Sequence, residues 1–272
     1  MGPSAMFNTY GLSLCRAMTE QDIRAVADDF ARAAERCREA GFDAVELHAG
    51  HGYLISQFLS PYSNRRRDRW GGSLQGRCRF AQLVVRQVRR AVGDDFPVLA
   101  KINLRNGFAG GLELDEAVEI ARLLEGEGVD ALVLSDGFVS KVPMYVMRGE
   151  VPFAEFYEGQ SSFTKKLGIL LMGKVLVKEF PYRDSYFLDD ARAVRRAVSL
   201  PLVLVGGLRR LDQMERIATD EGFELLALAR PLIMEPDLIV RLQRGEATES
   251  RCVPCNKCIG LMDKGAAHCP LV

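Results

Sequence analysis

The sequence is short of the features that mark surface binders. Lys and Arg together number 36, and Asp and Glu also number 36, so the formal net charge is zero. That balance gives no support to nucleic-acid binding or to a polybasic membrane contact, both of which need a surplus of positive charge. No apolar run is long enough to span a bilayer. The N-terminus, Met1-Gly2-Pro3-Ser4-Ala5-Met6, has no basic stretch leading into an apolar core, so no signal peptide is read and the cytoplasm is the expected compartment. No Gly-x-Gly-x-x-Gly follows a strand-like run, which removes the usual reason to expect an open, doubly wound dinucleotide-binding sheet. Histidine is scarce, with three residues in 272. Seven cysteines are present, but four of them fall between 252 and 269, which reads as a metal or iron–sulfur site rather than a disulfide framework.

What is there is ordinary globular material, 48% apolar and 26% charged, and long enough for one large domain or two small ones. Short β-rich runs alternate with amphipathic stretches. Residues 20–40 predict a helix, with Thr19 and Asp22 as a variant of the capping box and Gly41 as the stop. Further helices are predicted near 73–92, 113–126, 188–198, 210–221 and 235–244. Strands are predicted at 43–48, 98–102, 131–134, 202–205 and 225–228. Apolar strands separated by helices imply a parallel sheet covered on both faces. The strand ends carry His48, Lys101, Ser135, Gly206-Gly207 and Arg230, and the C-terminal strand ends are where (β/α)8 barrels place their sites.

The fold class is therefore α/β, a TIM-barrel type with about five βα units of the eight a closed barrel needs. The first 18 residues are too few for three more strands, so the chain reads as a fragment, or closes with another copy in a homo-oligomer, or leaves its sheet open. Residues 1–250 are expected to form the partial barrel and residues 251–272 a Cys-rich tail. Residues 138–187, rich in Pro, Gly and aromatics, read as a long loop acting as a lid or substrate-facing excursion.

In His48-Ala49-Gly50-His51-Gly52-Tyr53, strand alternation puts Glu46 and His48 on one face, and the glycines allow a tight turn that returns His51 and Tyr53 to the same mouth. Two imidazoles can donate to a developing oxyanion, and a phenol can deliver a proton. The same His-x-x-His could supply two metal ligands for a hydrolase, without an obvious third. Gly206-Gly207 and Ala229-Arg230 follow the last two strands, where barrels often bind phosphate through glycine N–H groups and a bidentate arginine.

The stretch from Ala40 to Arg79 carries His48-x-x-His51-x-Tyr53-Leu54, Gln57-Phe58-Leu59-Ser60-Pro61, Asn64-x-Arg66-x-Asp68-x-Trp70-Gly71-Gly72-Ser73 and Arg77-x-Arg79-Phe80. It resembles the Old Yellow Enzyme family of FMN-dependent oxidoreductases, and the likeness continues to about residue 269. The resemblance implies a TIM barrel with FMN at its C-terminal mouth, a small-molecule substrate and NAD(P)H as electron donor. It implies that His48 and His51 bind a substrate oxygen while hydride reaches an activated C=C bond from reduced flavin, and that Tyr53 supplies the proton. Lys101 would then be the cation near the flavin pyrimidine ring, where many relatives use arginine. Gly206, Gly207, Ala229 and Arg230 would form the FMN-phosphate site, with Ala229 standing where glycine is common.

Cys252-x-x-Cys255-x-x-Cys258 followed by Cys269-Pro270 suits a 4Fe–4S cluster, with structural zinc and metal-free thiols as the competing readings. Larger relatives of the dienoyl-CoA reductase and trimethylamine dehydrogenase types resemble this chain there and carry such a cluster. The resemblance also implies three further N-terminal βα units, and a chain without them would be an inactive fragment unable to hold FMN.

Overall fold

A computed structural model of the chain describes residues 1–8, 13–160, 162–265 and 268–272. In chain order the strands are β1 (Met6–Asn8), β2 (Ser13–Cys15), β3 (Val45–Ala49), β4 (Val98–Asn103), β5 (Ala131–Ser135), β6 (Leu202–Val205) and β7 (Leu225–Ala227). The first seven helices are α1 (Glu20–Glu39), α2 (Leu54–Leu59), α3 (Leu74–Val92), α4 (Leu114–Gly126), α5 (Pro143–Met147), α6 (Phe153–Gly159) and α7 (Phe163–Leu176). The remainder are α8 (Leu188–Arg195), α9 (Leu211–Asp220), α10 (Arg230–Met234), α11 (Leu238–Gln243) and α12 (Lys257–Gly260). The chain divides into two compact units, one of residues 1–141 and 187–204, the other of residues 142–186 and 205–272.

In the first unit β1 and β2 pair antiparallel, while the β3–β4, β4–β5 and β5–β6 pairs are all parallel. His48 stands opposite Lys101, Asn103 opposite Ser135, and Leu134 opposite Leu204. Each strand lies beside its predecessor, with no reversal of order. A doubly wound sheet reverses at a switch point, whereas an arc of a (β/α) barrel does not. The fold is thus α/β of the TIM-barrel type, with five strands, β3 to β7, each leading into helix.

The helices form where capping and periodicity meet. Thr19 Oγ1 accepts the Asp22 N–H at 3.1 Å, and Asp22 Oδ2 accepts the Thr19 N–H at 2.8 Å, completing the expected box at the start of α1. Ile23, Ala27 and Ala34 form its buried stripe, and α1 packs along α3, which buries Phe80, Val84, Val88 and Val92. On the sheet, the face opposite His48 and Lys101 is apolar and buried, with Leu47, Val98, Ala100, Ile102, Leu132 and Leu134 in register along it.

The motif Asn64–Arg79 is mostly a brace. Asn64 Nδ2 donates 2.8 Å bonds to the carbonyls of Phe58 and Trp70, and Arg66 Nη1 donates to those of Pro3 and Met18. Ser73 caps α3 by accepting the Gly76 N–H at 3.2 Å, and a Cβ on Gly76 would stand 2.1 Å from the Gly71 carbonyl oxygen. Arg77, 4% exposed, pairs with Glu116 and donates to the Leu59 carbonyl at 2.8 Å.

The second unit corrects one expectation. Residues 138–187 are not a long loop: they contain α5, α6 and α7. Proline supplied the loop signal, yet Pro143 opens α5 and Pro152 caps α6, positions where its missing N–H costs nothing. Apolar residues in α7 do not fall on one stripe, so the helical period was hidden: Phe163, Leu170 and Leu171 are exposed while Gly173 is buried.

Arg77→Ala should lower the unfolding free energy by about 3 kcal/mol, because it leaves Glu116 and the Leu59 carbonyl without their partner. Urea denaturation measures this, and a loss below about 1 kcal/mol would show that the pair behaves as a surface ion pair.

Candidate active site

His48, His51 and Tyr53 are brought together by one turn at the end of β3. The rings of His48 and His51 lie 4.9 Å apart, nearly perpendicular, and those of His48 and Tyr53 lie 4.8 Å apart. The turn needs its glycines. A Cβ on Gly52, at φ +80°, would fall 2.6 Å from the ring of Phe138, and one on Gly50 would fall 2.9 Å from Asn103 Oδ1. His51 itself adopts φ +59°, an uncommon conformation for a side chain of its size. Both of its backbone groups are tied: its N–H donates to Asn103 Oδ1 at 3.0 Å, and its carbonyl accepts from the Val139 N–H at 3.0 Å. Asn103 is held in turn by donation to the Gly137 carbonyl.

The electrostatics disfavour the charged form of both imidazoles. Burial, then the nearby Lys101, pushes His48 below the ordinary histidine range, while Glu46 pulls the other way. Burial foremost, then His48 and Lys101, lowers His51 to about 4. Hydrogen bonding sets the tautomer of His48 and couples that of His51 to the Ser135 hydroxyl. The Gly50 N–H donates to His48 Nδ1 at 3.4 Å, which puts the ring proton on Nε2. His51 Nε2 lies 2.7 Å from Ser135 Oγ, and when that hydroxyl donates, the ring proton sits on Nδ1. Each ring then presents one N–H. Tyr53 stands at the start of α2, 55% exposed.

Lys101 lies on the strand next to His48, as the alternation requires, but it has a partner: its Nζ is 2.7 Å from Glu46 Oε1. Asn103 and Ser135 carry the geometry yet were not assigned roles from sequence. The signal was available, since each is a polar residue closing an apolar strand beside its neighbour.

In the second unit Gly206, Gly207, Ala229 and Arg230 line one cavity of about 150 Å³, together with Tyr182, Tyr186 and Arg209. Gly207, at φ +72°, packs so closely that a Cβ would stand 2.7 Å from the Arg183 carbonyl oxygen and 2.8 Å from the Ser185 nitrogen. The Arg230 guanidinium is engaged with Asn256 and the backbone at Met147 and Arg148.

Cys252, Cys255, Cys258 and Cys269 line a second, smaller pocket beside Arg230. All seven cysteines are free thiols. Burial pushes Cys252 up to about 11 and raises Cys258, with Arg230 opposing in both. Among the described residues no three His, Cys, Asp or Glu side chains are placed to hold a metal ion. The loop is anchored by Glu235, 1% exposed at its side chain, which accepts from Ser250 Oγ and the Arg251 N–H at 2.7 Å, and from Arg241 at 2.8 Å. Burial works to raise the Glu235 carboxyl, but these donors outweigh it and hold it at about 2.

Residues 2–170 match the NADH:flavin oxidoreductase / NADH oxidase family, and the chain belongs to that family. It is 39% identical over 260 residues to a 4,4'-dithiodibutanoate disulfide reductase of Rhodococcus erythropolis, covering 95% of this chain and 64% of the relative. It is 30% identical over 247 residues to an NADH oxidase of Thermoanaerobacter brockii, covering 90% of this chain and 33% of that one. Histamine dehydrogenase from Rhizobium sp. 4-9, a solved structure, superimposes with a TM-score of 0.76 at 27% identity, over 98% of this chain and 35% of its own. The chain thus spans about two thirds of the first relative and about a third of the other two.

Because the fold depresses both histidines, the unfolded chain binds protons that the folded chain refuses. The stability they contribute is complete above the ordinary histidine value of 6.5 and is lost progressively as pH falls from there toward about 4. Denaturant titrations at pH 7.5 and 5.5 should therefore show a smaller drop for His51→Asn than for the native chain. An equal drop in both would contradict this.

Proposed function

We propose that this chain is the substrate-activating and FMN-holding portion of an NAD(P)H-dependent oxidoreductase that reduces an activated C=C bond or a similar acceptor. The observation that carries the reading is the trio His48, His51 and Tyr53 on one turn, where burial and Lys101 disfavour the charged form of both imidazoles. Neutral N–H donors grip a conjugated carbonyl oxygen and draw electron density from the double bond, gaining strength as charge builds on that oxygen. Tyr53, at the exposed start of α2, holds the proton for the α-carbon. FMN, when bound, supplies the two-electron chemistry that links NAD(P)H to the acceptor.

Gly206, Gly207, Ala229 and Arg230 are the residues we assign to the FMN phosphate, and the cavity they share supports that assignment. Lys101 is assigned to the pyrimidine end, with Glu46 tempering its charge. The thiols of Cys252, Cys255, Cys258 and Cys269 are assigned to a 4Fe–4S cluster. Their soft donor set and shared pocket support it, and loading requires them to draw closer than they stand. Seven free thiols suit a reducing compartment, so the cytoplasm is the proposed location. The metal-hydrolase reading finds no support: His51 Nε2 is engaged by Ser135, and among the described residues no third ligand joins the pair.

Incubation with FMN and desalting should leave one flavin per chain, and anaerobic NADH or NADPH should bleach it. Tyr53→Phe should bleach as fast as the native chain yet reduce an enone about a hundredfold more slowly. A dialkyl disulfide belongs in the same assay, because the Rhodococcus relative is named for reducing one. Failure to retain FMN would contradict the proposal, and undiminished enone reduction by Tyr53→Phe would remove Tyr53 from it.

A further inference from the structure

Arg230 is fastened by the cysteine loop. Its Nη1 donates to Asn256 Oδ1 and, at 3.3 Å, to the Arg148 carbonyl, while Nη2 donates to the Met147 carbonyl at 2.6 Å. These bonds use three of the five guanidinium N–H groups. The Nε–H and one Nη2–H are left without a partner among the described residues, on a side chain that lines the 150 Å³ cavity. Nε–H and Nη2 share one edge of the guanidinium plane, and such an edge can take two phosphate oxygens at once.

Asn256 is itself fixed. It is 1% exposed, and its backbone holds φ +57°, which asparagine tolerates better than most residues. Its Nδ2 donates to the Arg148 carbonyl at 3.0 Å and to the Glu150 carbonyl at 2.9 Å. The amide therefore has one orientation: oxygen toward the Arg230 cation, nitrogen toward two carbonyls. Reversing it would set donor against donor and acceptor against acceptor. Asn256 sits between Cys255 and Cys258, yet its bonds serve Arg230 and the segment after α5 rather than the thiols.

We propose that Asn256 is a positioning residue for the FMN phosphate, holding Arg230 so that its remaining N–H edge serves the cavity. This rests on reading the cavity as the phosphate site of bound FMN. Asn256→Gly keeps the left-handed backbone accessible and removes the side chain alone. The full chain is titrated, by quenching of flavin fluorescence, with FMN and with riboflavin, which lacks the phosphate. We expect Asn256→Gly to weaken FMN about tenfold, the usual scale for losing a charge-assisted hydrogen bond, and to leave riboflavin unchanged. In an Arg230→Ala background the same substitution should cost nothing further. Equal weakening of both flavins, or a full tenfold loss persisting without Arg230, would overturn the proposal. A native chain that binds neither flavin would instead overturn the parent reading of the cavity.

Discussion

The hydrogen bond from the His51 N–H to Asn103 Oδ1 is the constraint on which the candidate site depends. It crosses from the turn after β3 to the end of β4 and pins a residue in a backbone conformation that costs of order 1–3 kcal/mol. The Val139 N–H closes the other side by donating to the His51 carbonyl. With its backbone fixed from both neighbours, His51 sets its ring against Ser135 and across from His48. The parallel register of three strands thereby becomes the geometry of two imidazoles and a phenol. Burial then sets their charge, because a site closed enough to hold the rings is also one that disfavours a second positive charge beside Lys101.

The brace below this turn explains why the most family-like stretch of the sequence contains so few chemical groups. Asn64, Arg66, Ser73 and Gly76 bind backbone carbonyls, cap α3 or make room for a close approach. They hold the segment that carries the site rather than forming it. In the second unit Glu235 plays a comparable part for the segment leading into Cys252, gathering donors from Ser250, Arg251 and Arg241 onto one buried carboxylate.

What could be read from sequence was what local physics controls. The Thr19–Asp22 box marked α1, period-3.6 stripes marked α3 and α4, and β-branched runs marked β3 to β6, each within a few residues. His48, His51 and Tyr53 were legible because a strand end and two glycines dictate a turn. Residues 138–187 were not, since proline signals a break whether it ends a helix or begins one, and α7 has no single apolar face. Asn256 carried no such signal, because its role comes from a partner 26 residues away in sequence, which no spacing rule connects.

The proposed chemistry needs two neutral imidazoles with Ser135 donating to His51, and nitrogen-15 NMR of the side chains reads this directly in a protein with three histidines. At pH 7 it predicts His48 with its proton on Nε2 and His51 with its proton on Nδ1, both assigned by comparison with His48→Ala and His51→Asn. An imidazolium signal from either residue at that pH would contradict it.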